Sequence, residues 1–338
     1  MSLKTLQGKL VVSILLGLIV VIGIGLFSDL RAVGRDFQAF QWTLLPIILI
    51  CTLLNYFLRW LKWDYYLRQL GIGHGVSRGD SGLIFTAGLV MSVTPGKLGE
   101  VFKSYLLRRV NRTAVSRSAP VVLAERLTDG LAMLLLMGLG LTLYPPARPA
   151  FFVLVALSVA GILIVQHRPL AQAIINGVAR LPLGDKVAPR LHTVYTSLNQ
   201  LLDWRILTVS TLISIVSWGF ECVAFYFVLV GLEVEGTALL LLQATFIFAA
   251  STLSGLVSFL PGGLGVSEVT SVGLLVALVG MSVSAATTAT IVIRFATLWF
   301  GVLCGVIALA WFGRRYRETT DEAVLEAGRI SVEDGSKV

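Results

Sequence analysis

Six stretches of this chain are apolar over about the length needed to cross a bilayer, and that decides the solvent it folds in. They lie near residues 10–27, 44–66, 119–143, 149–166, 205–230 and 285–312. A hydrocarbon core about 30 Å thick takes roughly 20 helical residues to cross. Backbone N–H and C=O groups in lipid have no water to bond, so they must be satisfied within the segment, which a helix does. The expected fold class is an all-α integral membrane protein. Composition agrees: 56% of the 338 residues are hydrophobic and 14% charged, against about 25% charged in soluble domains. A soluble domain, a disordered chain and a nucleic-acid-binding module are excluded.

Two further apolar regions are interrupted. Residues 81–109 are broken by Pro95-Gly96, and residues 238–280 by Pro261-Gly262-Gly263. The apolar segment before the first break has about 14 residues and reaches roughly 21 Å, too short to cross. Each region is therefore read as a re-entrant helical hairpin that returns to the face it left. Segment 238–260 is long enough to span alone, so the second hairpin rests more on its break than on its length.

Charge placement sets the orientation. With both hairpins re-entrant, one face collects Arg59, Lys62, Lys103, Arg108, Arg109, Arg112, Arg117 and most other Lys and Arg residues. The opposite face holds Arg31, Arg35 and Arg148 with the acidic Glu233 and Glu235. By the positive-inside rule the first face is cytoplasmic, with both termini on it. The net charge of +8 then reports topology rather than a nucleic-acid partner. The run Arg59-Trp60-Leu61-Lys62-Trp63 with Tyr65 and Tyr66 reads as an interfacial anchor. Val187, Leu191, Val194, Leu198 and Leu201 recur at helical spacing in the 167–204 loop, which predicts an amphipathic helix on the inner leaflet.

The two breaks are related. Thr94-Pro95-Gly96-Lys97-Leu98-Gly99-Glu100 resembles Leu260-Pro261-Gly262-Gly263-Leu264-Gly265, followed by Glu268. Each is followed by an arginine within an apolar helix, Arg126 and Arg294. The chain thus reads as one transmembrane domain over 1–312: an extra helix at 10–27, repeat 1 at 44–143, a linking helix at 149–166, the 167–204 loop and repeat 2 at 205–312. A polar cytoplasmic tail takes up 313–338. The copies enter from opposite faces, which is the inverted-topology repeat found in many transporters.

Proline removes a backbone donor and glycine relaxes the chain, so a helix stops at each motif and another starts after it. The first N–H groups of the new helix are unpaired and partly positive, a natural anion site. Lys97, Glu100, Glu125, Arg126, Asp129, Glu221, Glu268 and Arg294 fall in or beside membrane segments. Each would cost about 2.5–3.5 kcal/mol facing lipid, so they are expected to point inward. Pro95, Gly96, Lys97, Gly99 and Arg126, with Pro261, Gly262, Gly263, Gly265 and Arg294, are the expected anion site. Glu100, Glu125, Asp129 and Glu268 are charge partners of these cations or a proton relay. Glu100–Arg126 and Glu268–Arg294 are the obvious ion pairs.

No enzyme signature, metal site or cofactor motif accompanies them. His74, His167 and His192 lie in polar connections without a nucleophile, and Cys51, Cys222 and Cys304 lack metal-ligand spacing. A phosphate-binding loop of the Walker type is absent, which excludes ATP-driven transport by this chain alone.

Three motifs in order carry a family resemblance: Thr94 to Glu100; Ala124-Glu125-Arg126-Leu127-Thr128-Asp129-Gly130; and Pro261 to Glu268. Together they resemble the transmembrane region of lysylphosphatidylglycerol synthases and its stand-alone flippase-like relatives, over about residues 10–312. The resemblance implies movement of a charged phospholipid across the membrane. Only about 25 residues follow the last span, so aminoacyl-lipid synthesis is not expected. The expectation is a bacterial cytoplasmic-membrane translocase of an anionic phospholipid or polyprenyl-phosphate lipid. An ion-coupled transporter of a small soluble anion and a non-transporting partner of a lipid-synthesis enzyme are the rival readings. The oligomeric state is left open.

Overall fold

The computed structural model describes residues 30–94, 98–179 and 184–316. The expected first helix at 10–27, the Pro95-Gly96-Lys97 motif and the tail beyond 316 lie outside the described residues.

All regular elements of the described chain are helical, apart from an isolated bridge residue at the second break. α1 (Leu30–Ala39) precedes α2 (Leu45–Gln69), then α3 (Arg78–Gly88), α4 (Phe102–Asn111), α5 (Val115–Leu139) and α6 (Arg148–Gln166). α7 (Arg168–Ala179) and α8 (Gly184–Leu201) follow, then α9 (Trp204–Gly231), α10 (Ala238–Val257) and α11 (Val266–Leu274). The chain ends in α12 (Val283–Arg294) and α13 (Phe300–Arg315), joined by a widened π turn at Phe295–Trp299. Among the described residues, five helical stretches are long and apolar enough to cross a membrane: Trp42–Gln69, Pro145–Gln166, Trp204–Gly231, Ala238–Val257 and Val283–Arg315. α5 has 25 residues, as long as α2, but its Glu125, Arg126 and Asp129 fall near its middle, whereas the charges of α2 lie in its second half. The helix anticipated at 119–143 thus begins and ends four residues earlier, with Pro120 accommodated near its N-terminal end.

Helices α2 and α9 form the central pair, and they run antiparallel. Asn55 Nδ2 donates to the Ser217 carbonyl at 2.9 Å, while about two and three turns further along α2 Lys62 and Tyr66 meet Ser214 and Ser210, α9 residues of falling number. Ser210, Ser214 and Ser217 on α9 are fully buried. Without a hydrophobic drive between helices in lipid, such small residues let backbones approach closely and hydrogen-bond across the interface.

Both broken regions are antiparallel hairpins. In the first, the aliphatic stem of Lys103 on α4 lies directly over Gly88 at the end of α3. Asn111 at the end of α4 donates to the Ile72 carbonyl just before α3 (2.8 Å), so the two legs end on the same side. In the second, Gln243 near the start of α10 donates to the Leu278 carbonyl at 2.7 Å. Near the break, Gly255 abuts Gly263 and Ser267. α10 is long enough to cross alone, yet α11 and its extension Leu275–Val279 run back beside it from the break as far as Gln243.

Packing between the halves is reciprocal. α3 lies on α13, the last helix of the second half, and α10 lies on α5, the last long helix of the first. Gly305 permits the former contact, since a Cβ there would sit 2.5 Å from the Val90 backbone nitrogen. α6 is different in kind: none of its residues is buried, and Phe152, Leu157 and Leu163 are exposed. A helix apolar all round with no buried face suits a lipid-facing periphery.

Two expectations about the periphery are corrected. The last turn of α8 does not lie free on a leaflet: Leu201 is fully buried, and Leu198 packs against the apolar cluster that also contains Tyr66 and Leu67. The supposed interfacial anchor splits in two. Arg59, Lys62, Trp63 and Tyr66 are buried, whereas Leu61 is exposed. The buried four fall at i, i+3, i+4 and i+7 and therefore share one helix face, which is turned into the protein.

Candidate functional site

The buried face of α2 meets α4 and α5 in a continuous charge cluster. Lys62 Nζ lies 2.5 Å from Asp129 Oδ1 and donates to Ser214 Oγ at 2.7 Å. Lys103 Nζ lies 2.6 Å from Glu125 Oε2 and 3.5 Å from Glu100 Oε2. Arg126 Nη2 reaches Glu100 Oε2 at 2.9 Å and Asp129 Oδ2 at 3.4 Å. Arg59 stands 3.8 Å from Glu100 Oε1, over the rings of Phe85 and Trp218. Lys103 is further enclosed by the rings of Trp63 and Phe85. The cluster contains four cations, Arg59, Lys62, Lys103 and Arg126, and three carboxylates, Glu100, Glu125 and Asp129. Burying so many charges is tolerable only because each has a partner at hydrogen-bond or ion-pair distance. Buried Glu221 lines a cavity with Arg59 and Arg294, a further carboxylate beside these cations.

The second half holds a simpler arrangement. Arg294 Nε on α12 lies 2.7 Å from Glu268 Oε1. The other oxygen of Glu268 accepts the Gly265 N–H at 2.6 Å, so one carboxylate caps α11 and holds the arginine. The preceding loop needs its glycines: Gly262, Gly263 and Gly265 have φ of 61, 68 and 90°, a region costly for residues with a Cβ. In the first half, Thr94 Oγ1 accepts the Gly99 N–H at 2.8 Å and donates to the Met91 carbonyl at 2.6 Å, pinning the loop across its break.

One expectation about the second break is revised. Four of its N–H groups are already engaged: those of Gly263, Leu264 and Ser267 bond to carbonyls within the loop, and that of Gly265 to Glu268. Arginine side chains border the space instead. Arg126 and Arg294 line one cavity with Gly262, Gly263 and Leu260. Their side chains are 14% and 22% exposed, against 0% for Lys62 and 1% for Lys103, so the two lysines serve as sealed counter-charges. Arg126 Nε and Arg294 Nη2 are buried nitrogens without a hydrogen-bond partner, a costly state that a ligand oxygen would relieve. Arg294 also borders a second cavity with Asn55, Arg59, Glu221 and Ser271. The two spaces, about 80 and 50 Å³, each exceed several times the roughly 10–15 Å³ that one water needs.

The structure thus brings Gly262, Gly263, Arg126, Asp129 and Arg294 to one cavity, with Glu100 and Glu268 behind the arginines. Glu125 is turned to Lys103 instead, and Pro261 and Gly265 shape the loop without bordering the cavity. Arg59, Lys62 and Lys103 escaped the sequence reading because basic residues beside aromatics resemble a membrane-surface belt. The helical phase of 59, 62, 63 and 66 was the signal that separates them. Among the described residues no group of three or more His, Cys, Asp or Glu side chains is placed to hold a metal ion.

These features define a helical membrane protein with two broken hairpins and a charged interior. The chain belongs to the family described as lysylphosphatidylglycerol synthase TM region, which it matches over residues 14–305. It is similar to two UPF0104 membrane proteins of Methanothermobacter thermautotrophicus. One is 25% identical over 287 residues, covering 76% of this chain and 82% of the relative. The other is 27% identical over 316 residues, covering 87% and 90%. A UPF0104 membrane protein of Pyrococcus horikoshii is 23% identical over 295 residues, covering 79% and 86%.

Proposed function

We propose that the protein moves an anionic lipid, a phospholipid or polyprenyl-phosphate type, across the cytoplasmic membrane. The observation that carries this reading is the shared cavity of Arg126 and Arg294, one arginine from each half, each with a buried nitrogen that lacks a partner. A phosphate offers oxygens to both guanidinium groups at once, which is the geometry arginine favours. Leu253, Leu256 and Leu260 line the same cavity, and Val257 and Phe259 beside them are exposed. That apolar flank suits tails that stay in lipid while the headgroup enters. The antiparallel α2–α9 pair and the reciprocal packing of hairpins on α5 and α13 support an inverted repeat, the design in which one half rocks against the other around a midplane site. The Lys/Arg-rich face and both termini are assigned to the cytoplasm by the positive-inside rule.

The test is reconstitution into liposomes carrying an acyl-labelled fluorescent phosphatidylglycerol, with a membrane-impermeant reductant added outside. The protein is expected to expose inner-leaflet label to the reductant, and Arg126→Ala to abolish that exposure. Bleaching confined to the outer leaflet with the wild-type protein would refute the reading.

A further inference from the structure

Arg294 is the last residue of α12, and that helix does not run straight on into α13. The π turn Phe295–Trp299 intervenes, and the N–H groups at its two ends are shared between carbonyls. That of Phe295 reaches Ile291 and Val292, and that of Phe300 reaches Phe295 and Thr297. Shared bonds in a widened turn make a soft point in the hydrogen-bond ladder, and such turns gather at functional sites. The two flanks are held by different partners. α13 is packed on α3, with Gly305 against the Val90 backbone. α12 is tied to α11 instead, through Arg294–Glu268 and through the Thr290 hydroxyl, which reaches Ser271 Oγ at 3.1 Å. The turn thus divides a segment held by the first hairpin from one held by the second.

A side chain of the first half grips this turn. Tyr56 on α2 donates its hydroxyl to the Thr297 carbonyl, and its ring stacks on Phe300 with centroids 6.4 Å apart. Gly301 makes the room, since a Cβ there would stand 2.5 Å from the tyrosine hydroxyl oxygen. The grip comes from a fixed point. The neighbouring Asn55 donates to the Ser217 carbonyl of α9, and Ser217 Oγ donates back to the Asn55 carbonyl. Tyr56, Thr297, Leu298 and Gly301 line the larger cavity together with Arg294. Leu298 also faces the second break, where a Cβ on Gly262 would lie 3.5 Å from its Cδ2.

Resting on the translocation reading, we infer that the π turn is the hinge on which α12 carries Arg294, and that the Tyr56 hydroxyl is the latch of that hinge. Breaking the latch loses one hydrogen bond and lets α11 and α12 tilt together against a stationary α13, with the Glu268–Arg294 pair intact. Tyr56 is then a positioning residue, which acts on the headgroup only through the turn that places Arg294.

The test is hydrogen–deuterium exchange of the full chain in detergent, read by mass spectrometry, comparing wild type with Tyr56→Phe, which loses the hydroxyl and keeps the ring. Exchange over residues 295–301 is expected to be about fivefold faster in the variant, the worth of one hydrogen bond in a local opening equilibrium, with residues 302–312 of α13 unchanged. Unchanged protection in the turn would overturn the inference, and so would protection lost evenly along α12 and α13, the mark of general loosening. Liposomes supply a second reading. A latch that holds the resting state slows the movement, so Tyr56→Phe is expected to speed leaflet exchange of labelled phosphatidylglycerol by about the same factor. Loss of a merely structural contact gives no such gain. Leaflet exchange by the wild type that Tyr56→Phe fails to speed would refute the hinge alone. A wild type without leaflet exchange would refute translocation and leave the deuterium comparison to decide the hinge.

Discussion

Glu268 holds Arg294 with one carboxylate oxygen at 2.7 Å and caps α11 through the Gly265 N–H with the other at 2.6 Å. A single side chain therefore joins the shape of the second break to the placement of a cavity cation. Glu268→Ala removes a helix cap, worth about 1 kcal/mol, and leaves a largely buried guanidinium without its partner, about 3–5 kcal/mol. Glu268→Gln keeps an acceptor for the cap and loses only the charge. Thermal unfolding in detergent is expected to rank wild type above Glu268→Gln, and Glu268→Gln above Glu268→Ala; equal melting of the two variants would show that the cap contributes nothing.

Lys62 is fully buried against Asp129, Ser214 and Thr128. Lys62→Met alone strands part of the Asp129 charge and is expected to destabilise by about 3–5 kcal/mol, while adding Asp129→Asn restores much of the loss. A double-mutant cycle on unfolding free energy checks this. Additive losses would mean that the pair is not coupled.

Glycine positions separate backbone need from chance. Gly263 has φ +68° and an added Cβ there would stand 2.9 Å from the Gly255 Cα, so Gly263→Ala meets both strain and a backbone clash. The left-handed conformation alone costs roughly 1–2 kcal/mol. Gly161 on α6 faces open space, and Gly161→Ala is expected to hold or raise stability by about 0.5–1 kcal/mol, as in any helix interior. Melting temperatures of the two variants should move in opposite directions.

Stability also responds to acid at the membrane rim, where Arg315 at the end of α13 lies 3.1 Å from Asp80 at the start of α3. Burial pushes the Asp80 carboxyl up, but hydrogen bonds from Ser77 and Tyr316 and the Arg315 charge outweigh it and hold it below the ordinary carboxylate range. A carboxylate depressed in the folded state stabilises above its unfolded pKa, and the gain disappears as pH falls through the folded value. Asp80→Asn should therefore lower the melting temperature at neutral pH, with the difference from wild type closing below about pH 4, where unfolded aspartates protonate. A difference independent of pH would assign the effect to packing.

Much of this architecture was legible in the chain. Apolar length marked the described spans, and Pro261-Gly262-Gly263 marked the turn of the second hairpin, because backbone hydrogen bonding in lipid tolerates few alternatives. The Glu100–Arg126 and Glu268–Arg294 pairs followed from their positions beside the breaks. What composition hid was the direction in which charges point. Arg59, Lys62 and Lys103 sit near helix ends, where the positive-inside rule expects solvent-facing cations, and only their partners Glu100, Asp129 and Glu125 on separate elements turn them inward. The pairing of N–H groups at the second break depends on positive φ at three glycines, a conformation that the motif permits without specifying.

The central claim is that Arg294 works on a headgroup and not only on Glu268. Neutralising both partners in Arg294→Met with Glu268→Gln removes the ion pair without leaving a stranded charge and keeps an acceptor for the Gly265 N–H. Leaflet exchange of labelled phosphatidylglycerol by this double variant, reconstituted as folded protein, is the direct measurement. The account predicts exchange no faster than in protein-free liposomes. Exchange at the wild-type rate would reduce Arg294 to a structural partner of Glu268 and contradict the account.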